Sequence, residues 1–397
     1  MISIDRPTAD LGDVRVTNRA AVLRHVRRHA PCSRADVAAR TGLNKATVSS
    51  LVAELIEHGL LRETGLTENR VGRPATTLVL DGSRYVGLGL SVGADELVAV
   101  AAGLGGDPVL TWRRAFPAAA GPEETVKALA ALTRRAVTRI GADRTVLGLT
   151  VAVPGLVDPD GDVPAAPALG WRGVPLAASM RRALRDRDFP VAVDTEANLA
   201  VLAERRHGPY AATTDLVHLT GGPAIGAGLI SGGRLLRGGR GFAGDVGHLP
   251  LAADGPACDC GRRGCLTALL GVDAVIRRLL PGAGPVTDHL PEIERIQALA
   301  RAGDEPVRTG LTEIGRLLGQ AASVLSGLLD PEVVVVGGHL AALAPWLLPA
   351  AHAELAARTP VPPGVRLEAS TLGSAAGALG GATAALATVE AGRLPAG

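Results

Sequence analysis

The chain has 397 residues, 47% of them hydrophobic and only 2% aromatic, with a formal net charge of +2 at pH 7. That apolar content is enough to fill the cores of two or three domains, and with no run near the twenty or so apolar residues of a membrane span, a spanning helix is excluded. The opening MISIDRPTAD lacks the basic-then-apolar order of a secretory signal, so a cytoplasmic protein is expected, in which the 4 cysteines stay reduced rather than forming a disulfide framework.

The charge is unevenly spread. Residues 1–81 hold 12 Lys and Arg against 9 Asp and Glu, a balance of +3, which leaves −1 for the remainder. Within this segment NRAAVLRHVRRHA places Ala21, Val22, Val26 and Ala30 near helical spacing, predicting a first amphipathic helix. SRADVAARTGL starts with Ser33 and Asp36 in capping-box positions and stops at Gly42, predicting a short second helix. In NKATVSSLVAELIEHG, Asn44 is placed to cap a third helix whose apolar face is Val48, Leu51, Val52 and Leu55. Helix, tight turn and helix make a helix-turn-helix, whose later helix enters the major groove. With its apolar face buried, that helix offers Asn44, Lys45, Thr47, Ser49 and Ser50 to base edges and phosphates of duplex DNA.

LLRETG and TTLVLD then read as short strands flanking the loop NRVGRP, a wing with a compact basic tip. Arg73, beside a backbone fixed by Pro74, is the residue expected to enter a narrow minor groove. No Phe, Tyr or Trp precedes Tyr85, which argues against a stacking platform for single strands or RNA.

Beyond Asp81 the pattern turns from helical to stranded. YVGLGLSVGADELVAVAAGLGGDPVLTWRRAF predicts three short strands joined by glycine turns and followed by a helix over EETVKALAALTRRAVTRI. The plan recurs in DLVHLTGGPAIGAGLISGGRLLRGG, and EVVVVGG is a short buried strand between LTEIGRLLGQAASVLSGLL and LAALAPWLLPAAHAEL, both read as helices. Two such units predict two α/β lobes facing one cleft, with the opening turn of each directing backbone N–H groups into it.

Between the second three-strand unit and the later helices lies GHLPLAADGPACDCGRRGCL. His248, Cys258, Cys260 and Cys265 form a closed set of one imidazole and three thiols, which suits a structural zinc ion with no open position for water.

These features resemble the ROK family, which joins sugar kinases and sugar-responsive repressors on an actin-like ATPase fold. The likeness is carried by the GH of Gly247 and His248 followed by CDCGRRGC, by VAVPGLVDPDG, PALGWRGVPL, EANLAVLAE and GSAAGALGGATAAL, and by VGRPATTLVLD, which is similar to the wing and linker of the family's repressors. It covers nearly the whole chain. The fold expected is α/β: a winged helix-turn-helix over residues 1–81, a first lobe over 82–206 and a second lobe with the zinc site over 207–397, its C-terminal helix able to pack back on the first lobe.

Departures from the family pattern imply a silent kinase site. Where the kinases have D-x-G-G-T this chain has Ser91, Ala94 and Asp95 at the first Asp, the second Gly and the Thr, and a carboxylate there repels phosphate. The second turn, G-T-G-I-G in the kinases, reads GPAIG; Pro223 removes an N–H and Ala224 adds a methyl. The position of the catalytic base, an Asp in N-D-x-N, holds Glu196, whose extra methylene displaces the carboxylate by about an ångström. Of the positions that contact sugar in the family, this chain has Ala168, Glu196, Asp245, His248 and Thr267, with only the histidine unchanged. A hexose loses several hydrogen bonds in such a pocket, so it is either reshaped for another effector or empty of function. The resemblance thus implies a DNA-binding regulator, a repressor, that holds zinc, binds operator DNA as a homo-oligomer and senses a sugar or other small molecule through Glu196, Asp245 and His248. An active sugar kinase with secondary DNA binding is the alternative, and a protein-interaction module is a third.

Overall fold

The computed structural model describes residues 11–66, 76–93, 95–117, 120–284, 286, 288–358 and 364–395. Arg73 and Ala94 lie outside them.

The N-terminal unit is built from three helices, Leu11–His29, Arg34–Thr41 and Lys45–Glu57, and a small sheet in which Thr76–Leu80 pairs with Leu61–Leu66 on one side and with Cys32–Ser33 on the other. Its second helix starts on a complete capping box. Ser33 Oγ accepts from the Asp36 N–H while the Asp36 carboxylate accepts from the Ser33 N–H, and Gly42 closes the helix at φ 73°. The strand Cys32–Ser33 has no counterpart in the sequence reading, because two residues carry no period. The first helix starts at Leu11 rather than near Asn18. Its added turns rest on the far end of the chain, where a side chain at Gly392 would strike the Val16 carbonyl.

Two five-stranded sheets follow with one topology. In the first, Pro108–Ala115, Glu96–Gly103 and Tyr85–Val92 run antiparallel, and Thr145–Val153 and Val191–Thr195 continue in parallel. In the second, Arg234–Leu235, Gly226–Ser231 and Leu216–Thr220 are antiparallel, and Val333–Val336 and Arg366–Ala369 are parallel. The repeated three-strand plan read from the sequence is therefore a repeated sheet. Each sheet has its own apolar core, and Val22, Val48, Leu55 and Leu78 belong to a third in the N-terminal unit. The helix expected over 340–355 is divided into Gly338–Ala342 and Ala344–Arg358; Pro345 stands in the first turn of the latter, where a missing N–H is harmless.

Two helices join the lobes. Glu196–His207 follows the last strand of the first sheet and lies against the second, where a side chain at Gly228 would strike the Ala197 carbonyl. Ala376–Ala385 crosses the first sheet so closely that a methyl at Gly89 would sit on the Ala378 carbonyl, and one at Gly380 on the Leu199 carbonyl. The chain beyond it, with Leu386 and Val389, enters the apolar cluster of the N-terminal unit.

Candidate functional site

The third helix presents the first candidate surface. Asn44 caps it, accepting from the Thr47 N–H at 2.8 Å, and Val48, Leu51, Val52 and Leu55 are fully or almost fully buried. Anchoring that face leaves Asn44, Lys45, Ser49 and Ser50 exposed and Thr47 partly so. The helix's positive end and these donors share one side, an arrangement suited to phosphate and base edges.

In the loop 247–266, His248 Nδ1 is 3.7 Å from Cys258 Sγ, and Cys260 Sγ is 3.6 Å from Cys265 Sγ. All four donor atoms lie within 4.8 Å of one another. A zinc ion bound at about 2.3 Å from sulfur and about 2.0 Å from nitrogen makes tetrahedral edges of about 3.7 Å, so the donors fit a metal by number, chemistry and spacing. Arg262 Nε donates to Cys260 Sγ at 3.4 Å, which pulls that exposed thiol down to about 6, whereas burial pushes Cys265 up to about 11. With Nδ1 facing the thiols, the Nε2 edge of His248 is turned away from them.

The cleft between the lobes holds the remaining positions. Thr195 caps the helix Glu196–His207, accepting from the Asn198 N–H. Glu196 stands at its first position, near Ser91 and Gly377: a side chain at Gly377 would meet Ser91 Oγ at 3.4 Å and Glu196 Cγ at 3.1 Å. Desolvation, and then the charge of Glu96, push the Glu196 carboxyl up to about 7. Asp194, which the sequence did not single out, stands beside these positions; it accepts from Asn198 Nδ2 at 2.9 Å and pairs with Arg237 at 2.6 Å. Its signal was the carboxylate two positions before Glu196. Asp245 is exposed and makes no side-chain hydrogen bond among the described residues. No hydrogen bond or ion pair among them joins Glu196, Asp245 and His248 directly. The Thr267 hydroxyl accepts from the Ile225 N–H at 3.1 Å, bracing the second turn.

The two glycine turns spend or lack backbone N–H groups. In the first, the Gly93 N–H is spent on the Glu96 carbonyl at 2.8 Å. Asp95 follows, held above the usual carboxylate range by burial and by the charges of Asp288, across the cleft, and Glu96. In the second, Pro223 has no N–H to give.

Comparison with known proteins gives this architecture a context. Residues 87–388 match the ROK family and residues 15–69 the MarR family. The xylose repressor of Bacillus subtilis is 28% identical over 94% of this chain and 95% of its own length, and the DNA-binding transcriptional dual regulator NagC of Escherichia coli is 27% identical over 85% and 84%. Among solved structures, a ROK family transcriptional regulator described as a homolog of the E. coli MLC protein superposes with a TM-score of 0.78, at 25% identity over 96% of this chain and 98% of that one. A ROK family glucokinase from Streptomyces griseus, in complex with glucose and AMPPNP, gives 0.64 at 25% identity over 75% of this chain and 98% of its own. The molecule thus combines a MarR-type winged helix with the actin-like fold of sugar kinases.

Proposed function

This chain belongs to the ROK family, and from that premise we propose that it is a transcriptional repressor that binds operator DNA through its winged helix and senses a small molecule in a kinase-like cleft that no longer transfers phosphate. One observation carries the reading: the third helix exposes Lys45, Ser49 and Ser50 over a face buried through Val48, Leu51, Val52 and Leu55. Asn44 and Thr47 belong to the same contact surface, and Arg73 is assigned the wing contact from its sequence setting alone. The repressors that match this chain over most of its length support the same assignment, and the two sugars in their names, xylose and N-acetylglucosamine, favour a saccharide as the class of effector. On this reading the DNA-binding unit ends near residue 81 and the first lobe near residue 206, and the regulator pairs as a homo-oligomer to match two half-sites.

His248, Cys258, Cys260 and Cys265 would hold zinc, which supplies a cross-link and no reaction chemistry, since four protein donors close its shell. The cross-link fixes the loop from which the outer edge of His248 and the carboxylate of Asp245 reach an effector. Glu196 contributes a third polar group from the opposite lobe.

One observation favours the kinase alternative: a carboxyl near 7, as at Glu196, is well matched to a general base. The phosphate turns oppose it, because in-line transfer depends on positioned N–H donors and here one is consumed, one is absent and a carboxylate stands beside them. The deciding experiment pairs two assays on the full chain. Genomic duplexes from its binding map should be retained at nanomolar to micromolar protein and released by a saccharide from a panel, while ATP, magnesium and the same panel yield no sugar phosphate. Turnover that vanishes in Glu196→Ala would replace the silent cleft with an active one.

A further inference from the structure

A cleft of about 450 Å³ runs along the seam between the N-terminal unit and the lobes. Arg27 and Arg28 reach it from the last turn of the first helix, Arg62 from the strand Leu61–Leu66, and Arg205 and Arg206 from the last turn of the helix that begins at Glu196. The one carboxylate on its wall among the described residues is Glu390, which pairs with Arg27 at 2.9 Å and Arg206 at 3.4 Å. Arg28, Arg62 and Arg205 have no ion pair among the described residues, and Arg24 adds a further charge close enough to act on Arg205.

Cations in a last helical turn commonly offset the helix dipole, and that explains either pair alone. It does not explain the sum. Two helix ends supply about one negative unit together and Glu390 another, against five guanidinium groups, which leaves about three positive charges facing one cleft. The crowding is felt: burial, and then Arg27, Arg28 and Arg24, hold Arg205 below the ordinary arginine range.

We propose that this seam is a binding site for a small phosphate-bearing anion, a phosphorylated metabolite, separate from the effector cleft. Guanidinium forks match phosphate oxygens in pairs, and three elements converge as a polyanion requires. The volume exceeds that of a bare phosphate and suits a small organic body, for which Val79, Leu80 and Leu202 provide an apolar wall. A duplex fits poorly: the Arg206 side chain is 8% exposed and also donates inward to the Leu104 carbonyl, beyond the reach of a backbone phosphate on a rigid rod. Because Arg28 and Arg62 belong to the DNA-binding unit and Arg205 and Arg206 to the lobe, a bound anion clamps one to the other and gives operator binding a second input.

The test is direct and does not depend on operator binding, so its failure and that of the regulator reading are distinguishable. Full-length protein is titrated with inorganic pyrophosphate and, at equal ionic strength, with chloride, by calorimetry and thermal shift. The expected result is one saturable pyrophosphate site per chain and a raised melting temperature, with affinity falling at least tenfold in Arg28→Gln and lost in Arg28→Gln/Arg205→Gln. Arg28 is exposed, so its single variant should keep the wild-type circular dichroism and melting temperature and serves if the double variant misfolds. No saturable binding at matched ionic strength, or binding unchanged in Arg28→Gln, overturns the site. So does displacement of pyrophosphate by random-sequence duplex together with a shallower salt dependence of DNA binding in Arg28→Gln, which would make these arginines DNA contacts.

Discussion

Arg27, in the first helix, donates to Glu390, 363 positions later, at 2.9 Å. The segment 386–390 is thus part of the DNA-binding unit's foundation. Glu390 also meets Arg206, and Leu386 and Val389 share an apolar cluster with Val22 and Leu55. The helix just before them, Ala376–Ala385, begins beside Glu196 in the cleft. A single C-terminal segment therefore touches the cleft between the lobes at one end and the winged helix at the other.

Glu390→Gln is expected to loosen this junction. Both ion pairs are partly exposed, which limits each to the modest value of a surface pair, but Arg206 is nearly enclosed and loses its carboxylate. A loss of about 1 to 2 kcal/mol is expected. Denaturant unfolding should register it, and trypsin should separate the two units sooner than in the wild type; unchanged proteolysis would show that the apolar contacts alone hold the junction.

The packing of the C-terminal helix gives a sharper expectation. Gly89→Ala places a methyl on the Ala378 carbonyl, where backbone on both sides must move. Overpacking of this kind costs about 1 to 3 kcal/mol or more. Thermal denaturation should show a clear loss, whereas Gly65→Ala, with nothing within 4 Å of the new carbon, should remain within about 0.5 kcal/mol.

Acid should destabilise the protein through buried imidazoles. Burial lowers His218 and His339 from 6.5 to about 4; the first lies 3.8 Å from Glu204 and the second donates from Nε2 to the Leu270 carbonyl. Between pH 6.5 and 4 the unfolded chain binds their protons and the native one does not, so stability falls as pH drops through that window, by at most about 1.4 kcal/mol per pH unit for each. Glu196 works in the opposite sense. Raised to about 7, it takes a proton in the native state first and gains stability as pH falls from 7 toward 4.5. Urea midpoints at pH 7, 6 and 5 should decline, and His218→Gln should flatten the slope; a slope unchanged in that variant would remove His218 from the account.

What was legible in the sequence was local. The capping pair Ser33 and Asp36 and the cap at Asn44 act within three residues, and the cysteine loop gathers its donors within eighteen, so spacing alone announced them. The repeated glycine turns likewise announced two sheets of one plan. Contacts made by distant segments were not legible. Nothing near Arg27 points to Glu390, nothing near Gly89 points to Ala378, and the strand Cys32–Ser33 exists only because Thr77 and Leu78 lie beside it. The arginine seam is the clearest case, since RHVRRH and ERRH each read as an ordinary helix end until the fold turns them toward each other.

The cysteine loop should depend on its metal. Purified protein is expected to hold about one zinc per chain, and Cys260→Ser to lose it and destabilise the second lobe. Chelation of the wild type should give the same loss of melting temperature as the variant. Metal analysis finding none in protein prepared without chelators would leave His248 and the three thiols as a reduced, metal-free cluster.

The DNA surface should divide into two kinds of contact. Lys45, Thr47, Ser49 and Ser50 crowd the first turns of a helix whose opposite face is locked in the core, so their substitution should remove the proposed contacts without disturbing the fold. Thr47→Ala or Ser50→Ala is expected to change preference among operator variants, each lost base contact costing about 1 to 3 kcal/mol. Asn44→Ala differs in kind: it removes the cap on the Thr47 N–H, at a cost of about 1 kcal/mol in stability as well as any loss at the DNA. Arg73→Ala, at the wing, should weaken binding to all sequences alike and reduce its salt dependence by one counterion-releasing contact. Binding to operator and scrambled duplexes across a salt series separates the three. If Arg73→Ala binds both duplexes as the wild type does, the wing is not a DNA contact, and the third helix alone carries recognition.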